Sequence, residues 1–169
     1  MSELSSRERL QPSLLDRLTD NAVEHTRETL DQQTLGLQQL RQAVLRDLAW
    51  LLNTTNLAVS EDLGATPLAA KSTLNFGIPG FTGQIGTTQK MGGLEVAIAE
   101  AIRAFEPRIR PESLKVRLRP PTEDQSGSAV VFEIQGELWA QPVPQQLFLE
   151  TAIELETRMA VVTDARVRG

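Results

Sequence analysis

The sequence contains no cysteine, which removes disulfides, zinc–thiolate sites and thiol catalysis together and points to a cytoplasmic address. It contains a single histidine. A helix would bring that residue, His25, beside Glu28, but one imidazole among surface carboxylates makes a poor metal site. A Ser-His-Asp triad would have to be built on the same His25 within a polar N-terminal arm. Long apolar runs are missing too: stretches such as Leu48 to Leu52 fall far short of the roughly 20 residues that span a bilayer. The N-terminus spreads Glu3, Arg7, Glu8 and Arg9 among polar residues and lacks the apolar core of a secretory signal, so export is not expected. Basic charge is in deficit, with 17 Lys and Arg against 22 Asp and Glu for a formal net charge of −5. That is the wrong sign for general attraction to phosphate backbones. Neither a nucleic-acid partner nor membrane insertion is expected. No metal is expected with that lone histidine and no cysteine, and no cofactor either, because glycine-rich Gly77 to Gly86 fits neither the dinucleotide fingerprint nor the P-loop and reads as backbone flexibility or close chain packing.

What is present suits one globular unit, since 169 residues suffice for one domain with a sizeable core and not for two of ordinary size. We divide the chain into a polar arm (1–34), a domain (35–162) and a short tail (163–169). In the arm, Pro12-Ser13-Leu14-Leu15-Asp16-Arg17-Leu18 predicts a short helix. Leu37, Leu40, Val44, Leu48 and Leu51 recur at spacings of three and four, the signature of an amphipathic helix that Asn53-Thr54-Thr55-Asn56 ends. Lys71 to Gly93 reads as a long glycine-rich connection, of a kind that is usually functional or ordered by a partner. Leu94, Ile98, Ile102 and Phe105 mark a second amphipathic helix, which Pro107 stops by restricting Glu106. The period then changes to two: Leu114, Val116 and Leu118; Val130, Phe132, Ile134 and Leu138; Leu147, Leu149, Ile153 and Leu155. The expected fold is α+β, a three-stranded antiparallel sheet with two main amphipathic helices on one face and the short N-terminal helix.

Three features could carry function. The acidic residues of the strands, Glu133, Glu137, Glu150, Glu154 and Glu156, alternate onto one side, where pairing with Lys115, Arg117 and Arg119 is simpler than a glycosidase pair in a cleft. Glu106 is less ordinary, because a carboxylate just past a helix C-terminus faces the negative end of the dipole at a cost of about 0.3–1 kcal/mol unless a cation compensates. Pro107 stiffens the link to Arg108, which either closes a local ion pair or presents both charges to a partner. The third feature is the last run of alternation, which continues through Thr157, Met159 and Val161. A strand of that length overhangs its neighbours, and such an edge is either guarded by charge or paired with another chain.

Ser72-Thr73-Leu74-Asn75-Phe76-Gly77-Ile78-Pro79, followed by Phe105-Glu106-Pro107-Arg108-Ile109, resembles the signature segments of the phage-T4 baseplate-wedge family and its type VI secretion relatives of the TssE kind. Pro12 to Leu18 and Val44 to Asn53 resemble the same family, in the same order. The resemblance implies a non-enzymatic structural subunit of a type VI secretion baseplate, in the cytoplasm at the inner face of the inner membrane. It implies wedge partners of the TssF, TssG and TssK type and sheath partners of the TssB and TssC type. It also makes Asn75, Phe76, Gly77, Pro79, Glu106, Pro107 and Arg108 partner-binding candidates, with Thr157 and Met159 on a strand that pairs with the sheath. Gly80 stands where relatives often carry an acidic residue, and the Gly83 to Gly93 stretch is longer and richer in glycine than theirs. The family has also carried a lysozyme label. A muramidase needs a protonated acid and a second carboxylate in a sugar-sized cleft, and Glu106 beside cations is the wrong setting for one. A small regulatory adaptor on the same fold is the other alternative.

Overall fold

The computed structural model describes residues 37–80, 88–119, 129–139, 145–154, 157 and 159–165, together with Leu15. Apart from Leu15, which is helical, the expected N-terminal helix lies outside the described residues, as does His25. Helix α1 spans Leu37–Leu52 and buries Leu40, Val44, Leu48 and Leu51, the stripe that its three-and-four spacing dictates. Its last carbonyls are satisfied by the side chains that follow: Asn53 Nδ2 donates to Ala49 O at 2.7 Å and Thr54 Oγ1 to Trp50 O at 2.7 Å, so the helix ends without orphaned acceptors there.

The chain then makes an excursion through 3-10 turns at Leu57–Val59 and Thr73–Asn75, with a four-residue helix α2 at Pro67–Ala70 between them. None of these three elements contains a buried residue. Polar clasps hold the excursion instead. Asn75 Oδ1 accepts from Ala58 N and its Nδ2 donates to Ala70 O, both at 2.9 Å.

Helix α3 spans Thr88–Phe105. It begins well before Leu94, so the glycine-rich connection from Lys71 is shorter than expected and Gly92 and Gly93 lie inside the helix. Those glycines concealed the helix because each opposes helical structure by up to about 1 kcal/mol, which the turns packed further along evidently outweigh. Buried Leu94, Ile98 and Ile102 hold α3 to the sheet.

The sheet has four antiparallel strands in the order β1-β2-β3-β4, not three: β1 Lys115–Arg119, β2 Ala129–Leu138, β3 Gln145–Glu154 and β4 Ala160–Asp164. The alternation expected to run on from Leu147 through Val161 is a hairpin. Glu154 N donates to Met159 O at 3.1 Å and Thr157 Oγ1 to Glu154 Oε2 at 2.7 Å, so the chain reverses where an overhang was expected. Both arms of a hairpin alternate with period two, and no glycine, proline or asparagine marks this turn; periodicity alone could not reveal the fold-back.

One row of side chains, Phe132, Ile134 and Leu138 with Leu147, Leu149 and Ile153, is buried against the helices in a single core with Leu48, Ile98 and Ile102. Thr151 shares that row, fully buried, with an Oγ1 that has no hydrogen-bond partner. Each outer strand is touched by a side chain from within or just after a helix. Asn53 accepts from Ala160 N at 2.8 Å and donates to Ala160 O at 2.9 Å on β4, and Glu95 accepts from Leu118 N on β1.

Candidate functional site

Glu106 follows α3 directly, its N–H closing one more helical bond to Ile102 O at 2.9 Å before Pro107 ends the run. Its carboxylate is turned inward and only 3% exposed. Oε1 accepts from Arg108 N at 3.1 Å and Arg108 Nε at 2.6 Å, and Oε2 accepts from Arg108 Nη2 at 2.5 Å. The guanidinium thus forks around one carboxylate in the geometry that favours Arg over Lys. Arg108 Nη2 also reaches Asp47 Oδ2 of α1 at 2.5 Å, and Asp47 Oδ1 accepts from Arg46 Nε at 2.9 Å. Burial disfavours the charged guanidinium of Arg108, but its hydrogen bonds and charge interactions with Glu106 and Asp47 outweigh this and raise its pKa above the ordinary value. Arg108 is therefore charged at every pH the fold tolerates.

Of the two readings of Glu-Pro-Arg, the geometry shows the intramolecular ion pair. Both oxygens of Glu106 are engaged within the chain, so the carboxylate is not placed to protonate a glycosidic oxygen in a cleft. The second carboxylate group considered, on the outer face of the sheet, is an ion-pair cluster. Arg119 bonds Glu150 at 2.9 Å and lies 4.0 Å from Glu133, beside an open groove of about 400 Å³ that Phe148 and Gln135 also line.

The segment Asn75 to Pro79 is brought to the end of α1. Ile78 N donates to Thr54 O at 2.9 Å and Asn56 N to Ile78 O at 3.0 Å, a parallel bridge between Thr55 and Ile78. Gly77, at φ 121°, makes this approach possible. A Cβ there would stand 2.3 Å from Thr54 O, which no side chain tolerates. Phe76 then meets Phe105 edge to face, with ring centroids 5.2 Å apart, so this segment and the Glu106–Arg108 motif belong to one assembly. Pro79 is half-buried at its margin. Thr157 and Met159 lie in the β3–β4 turn, both exposed. They are linked to the rest through Ala160 and the Asn53 clasp, so the end of α1 is the joint where the three candidate segments meet.

Sequence reasoning missed Asp47, Arg46 and Asn53 as members of this joint. Asp47 and Asn53 carried no signal because their partners are remote in sequence, 61 positions away for Asp47 and Arg108 and 107 for Asn53 and Ala160, and Arg46 enters only through its neighbour Asp47. Among the described residues, no group of three or more His, Cys, Asp or Glu could hold a metal. No helix there is long and apolar enough to cross a membrane.

The model of one protein family, described as baseplate wedge protein gp25, matches residues 38–143. No curated protein matches the chain. The matched stretch contains all but the first residue of α1, with Asp47, the following Asn53, the Asn75–Pro79 crossing and the Glu106–Arg108 ion pair, which is the whole joint except the β3–β4 turn. With more than half of its length matched, the chain belongs to the gp25 baseplate wedge family.

Proposed function

We propose that this chain is a structural subunit of a type VI secretion baseplate, joining wedge components and giving the contractile sheath a docking point. Its wedge partners are of the TssF, TssG and TssK type. They contact the joint formed by Asn75, Phe76, Gly77, Pro79, Glu106, Pro107 and Arg108. Sheath proteins of the TssB and TssC type meet the hairpin turn that carries Thr157 and Met159. Assembly takes place in the cytoplasm, against the inner face of the inner membrane.

The observation that carries this reading is the joint itself. Three segments far apart in sequence are locked together at the end of α1 by groups that bond one another, which is the rigidity a connector under mechanical force needs. At the turn, Met159 and the neighbouring Val161 are exposed apolar residues beside a sheet edge, a setting suited to strand addition. The test is to isolate the tagged full chain from its native cells and identify what it retains. We expect other wedge subunits and, in assembled particles, sheath. Retention of neither from cells with active secretion would refute the proposal. Retention of wedge proteins by a Met159→Asp variant that has lost the sheath would assign the turn.

A further inference from the structure

The chain has two tryptophans, and both are largely outside the core: Trp50 is 51% exposed and Trp139 is 62% exposed. They stand at the two ends of one continuous line of contacts. The Arg46 guanidinium lies over the Trp50 ring, 5.2 Å from its centroid. Arg46 bonds Asp47 at 2.9 Å, and Asp47 bonds Arg108 at 2.5 Å, with Glu106 beneath. Trp139 N donates to Arg108 O at 2.7 Å. The bridge that pairs Ile109 with Leu138 sets Trp139 directly across from Arg108, on the side away from the buried Ile109 and Leu138.

The strip is aromatic at both ends and electrically spent in the middle. Two guanidinium groups answer two carboxylates, leaving no net charge. The exposed positions one and two turns earlier on α1, Gln42 and Gln38, are uncharged as well. An ordinary solvated face carries free Lys and Glu. Trp and Arg enriched together, with uncompensated charge depleted, is the composition of an interface core. An acidic segment laid on this strip would meet Asp47, and a basic one would meet Arg46. An uncharged, apolar segment covers both tryptophans without setting a charge of its own against Asp47 or Arg46.

We infer that this strip is a protein-docking surface, on which a wedge subunit buries Trp50 and Trp139 with an uncharged segment, so that aromatic packing rather than ion pairing makes the contact. The inference rests on the wedge reading above and names the chemistry of its contact. The full chain is labelled with 5-fluorotryptophan, its two fluorine resonances are assigned with Trp50→Phe and Trp139→Phe, and unlabelled purified wedge subunits from the same source are added. Both resonances shift on binding. Trp50→Ala and Trp139→Ala melt like the wild type and each bind at least about tenfold more weakly. Affinity changes less than about threefold between roughly 0.05 and 0.5 M salt, because no exposed ion pair is made. A complex that forms with both resonances unmoved, or whose affinity collapses with salt, overturns the aromatic contact and leaves the wedge assignment standing. Failure of the wild type to bind any wedge subunit overturns that assignment, and this inference with it. Shifts that follow only the chain's own concentration assign the strip to a second copy, which also overturns it.

Discussion

Replacing Glu106 by glutamine keeps shape and volume, so it isolates the charge. The amide can still accept through one oxygen, but its nitrogen presents hydrogens to Arg108 Nη2, which bonds Oε2 at 2.5 Å. Charge centres about 4 Å apart attract by about 4 kcal/mol at an effective dielectric near 20. Part of that is returned because a neutral amide costs less than a carboxylate to bury at 3% exposure. Breaking a fully buried pair costs about 3–5 kcal/mol. Here Arg108 keeps Asp47 as a partner, and its side chain is 23% exposed, so a loss of about 2–3 kcal/mol follows. For a domain of this size that lowers Tm by roughly 5–10 °C. Urea unfolding of Glu106→Gln, Arg108→Met and the double variant, followed by circular dichroism, measures both the loss and the coupling. We expect the double variant to be less damaged than the sum of the singles by about 1–3 kcal/mol. A Glu106→Gln variant within about 0.5 kcal/mol of wild type would refute the reasoning, because surface changes away from such features lie in that range.

Gly77→Ala should destabilise by about 2 kcal/mol or more, since its Cβ would meet Thr54 backbone in a left-handed conformation; thermal melting checks it. Gly93→Ala should raise stability by about 0.5–1 kcal/mol in chemical denaturation, because the position is helical and its Cβ would meet nothing within 4 Å. Thr151→Val should leave stability unchanged or raise it by up to about 2 kcal/mol, by removing a buried hydroxyl that lacks a partner. A loss above about 1 kcal/mol there would show that the hydroxyl is satisfied in solution.

The elements that the sequence revealed are those whose own residues carry the period. The inner row of β2 and the stripes of α1 and α3 alternate as they pack, so Phe132, Ile134, Leu48 and Ile102 were readable as core. The β3–β4 turn was not, because Leu155-Glu156-Thr157-Arg158 contains none of the residues that punctuate turns. The special character of Glu106 and Arg108 was readable from the helix dipole and the intervening proline. Their direction was not, since it depends on Asp47, which only the folded chain brings near. Gly77 was readable as backbone flexibility or close chain packing; that the close chain is the backbone of Thr54 belongs to tertiary structure. The tryptophans gave no sign in sequence, because exposure is a property of what packs beside them.

The clasp between Asn53 and Ala160 bears on what the outer edge of β4 can do. In an antiparallel ladder alternate residues point their backbone groups outward, and with Ile153 opposite Ala160 those on β4 are Ala160, Val162 and Asp164. The first is already occupied, because the Asn53 amide offers the same donor and acceptor pair that a neighbouring strand would. The side chain just past α1 thus acts as a stop peg at one end of the edge. Any strand that adds there must begin beyond it, near Val162, so its register is set by the subunit it joins and no longer open to slippage. The same peg shortens the ladder available to an unintended copy, which makes end-to-end stacking of free subunits through this edge a poor competitor to ordered assembly.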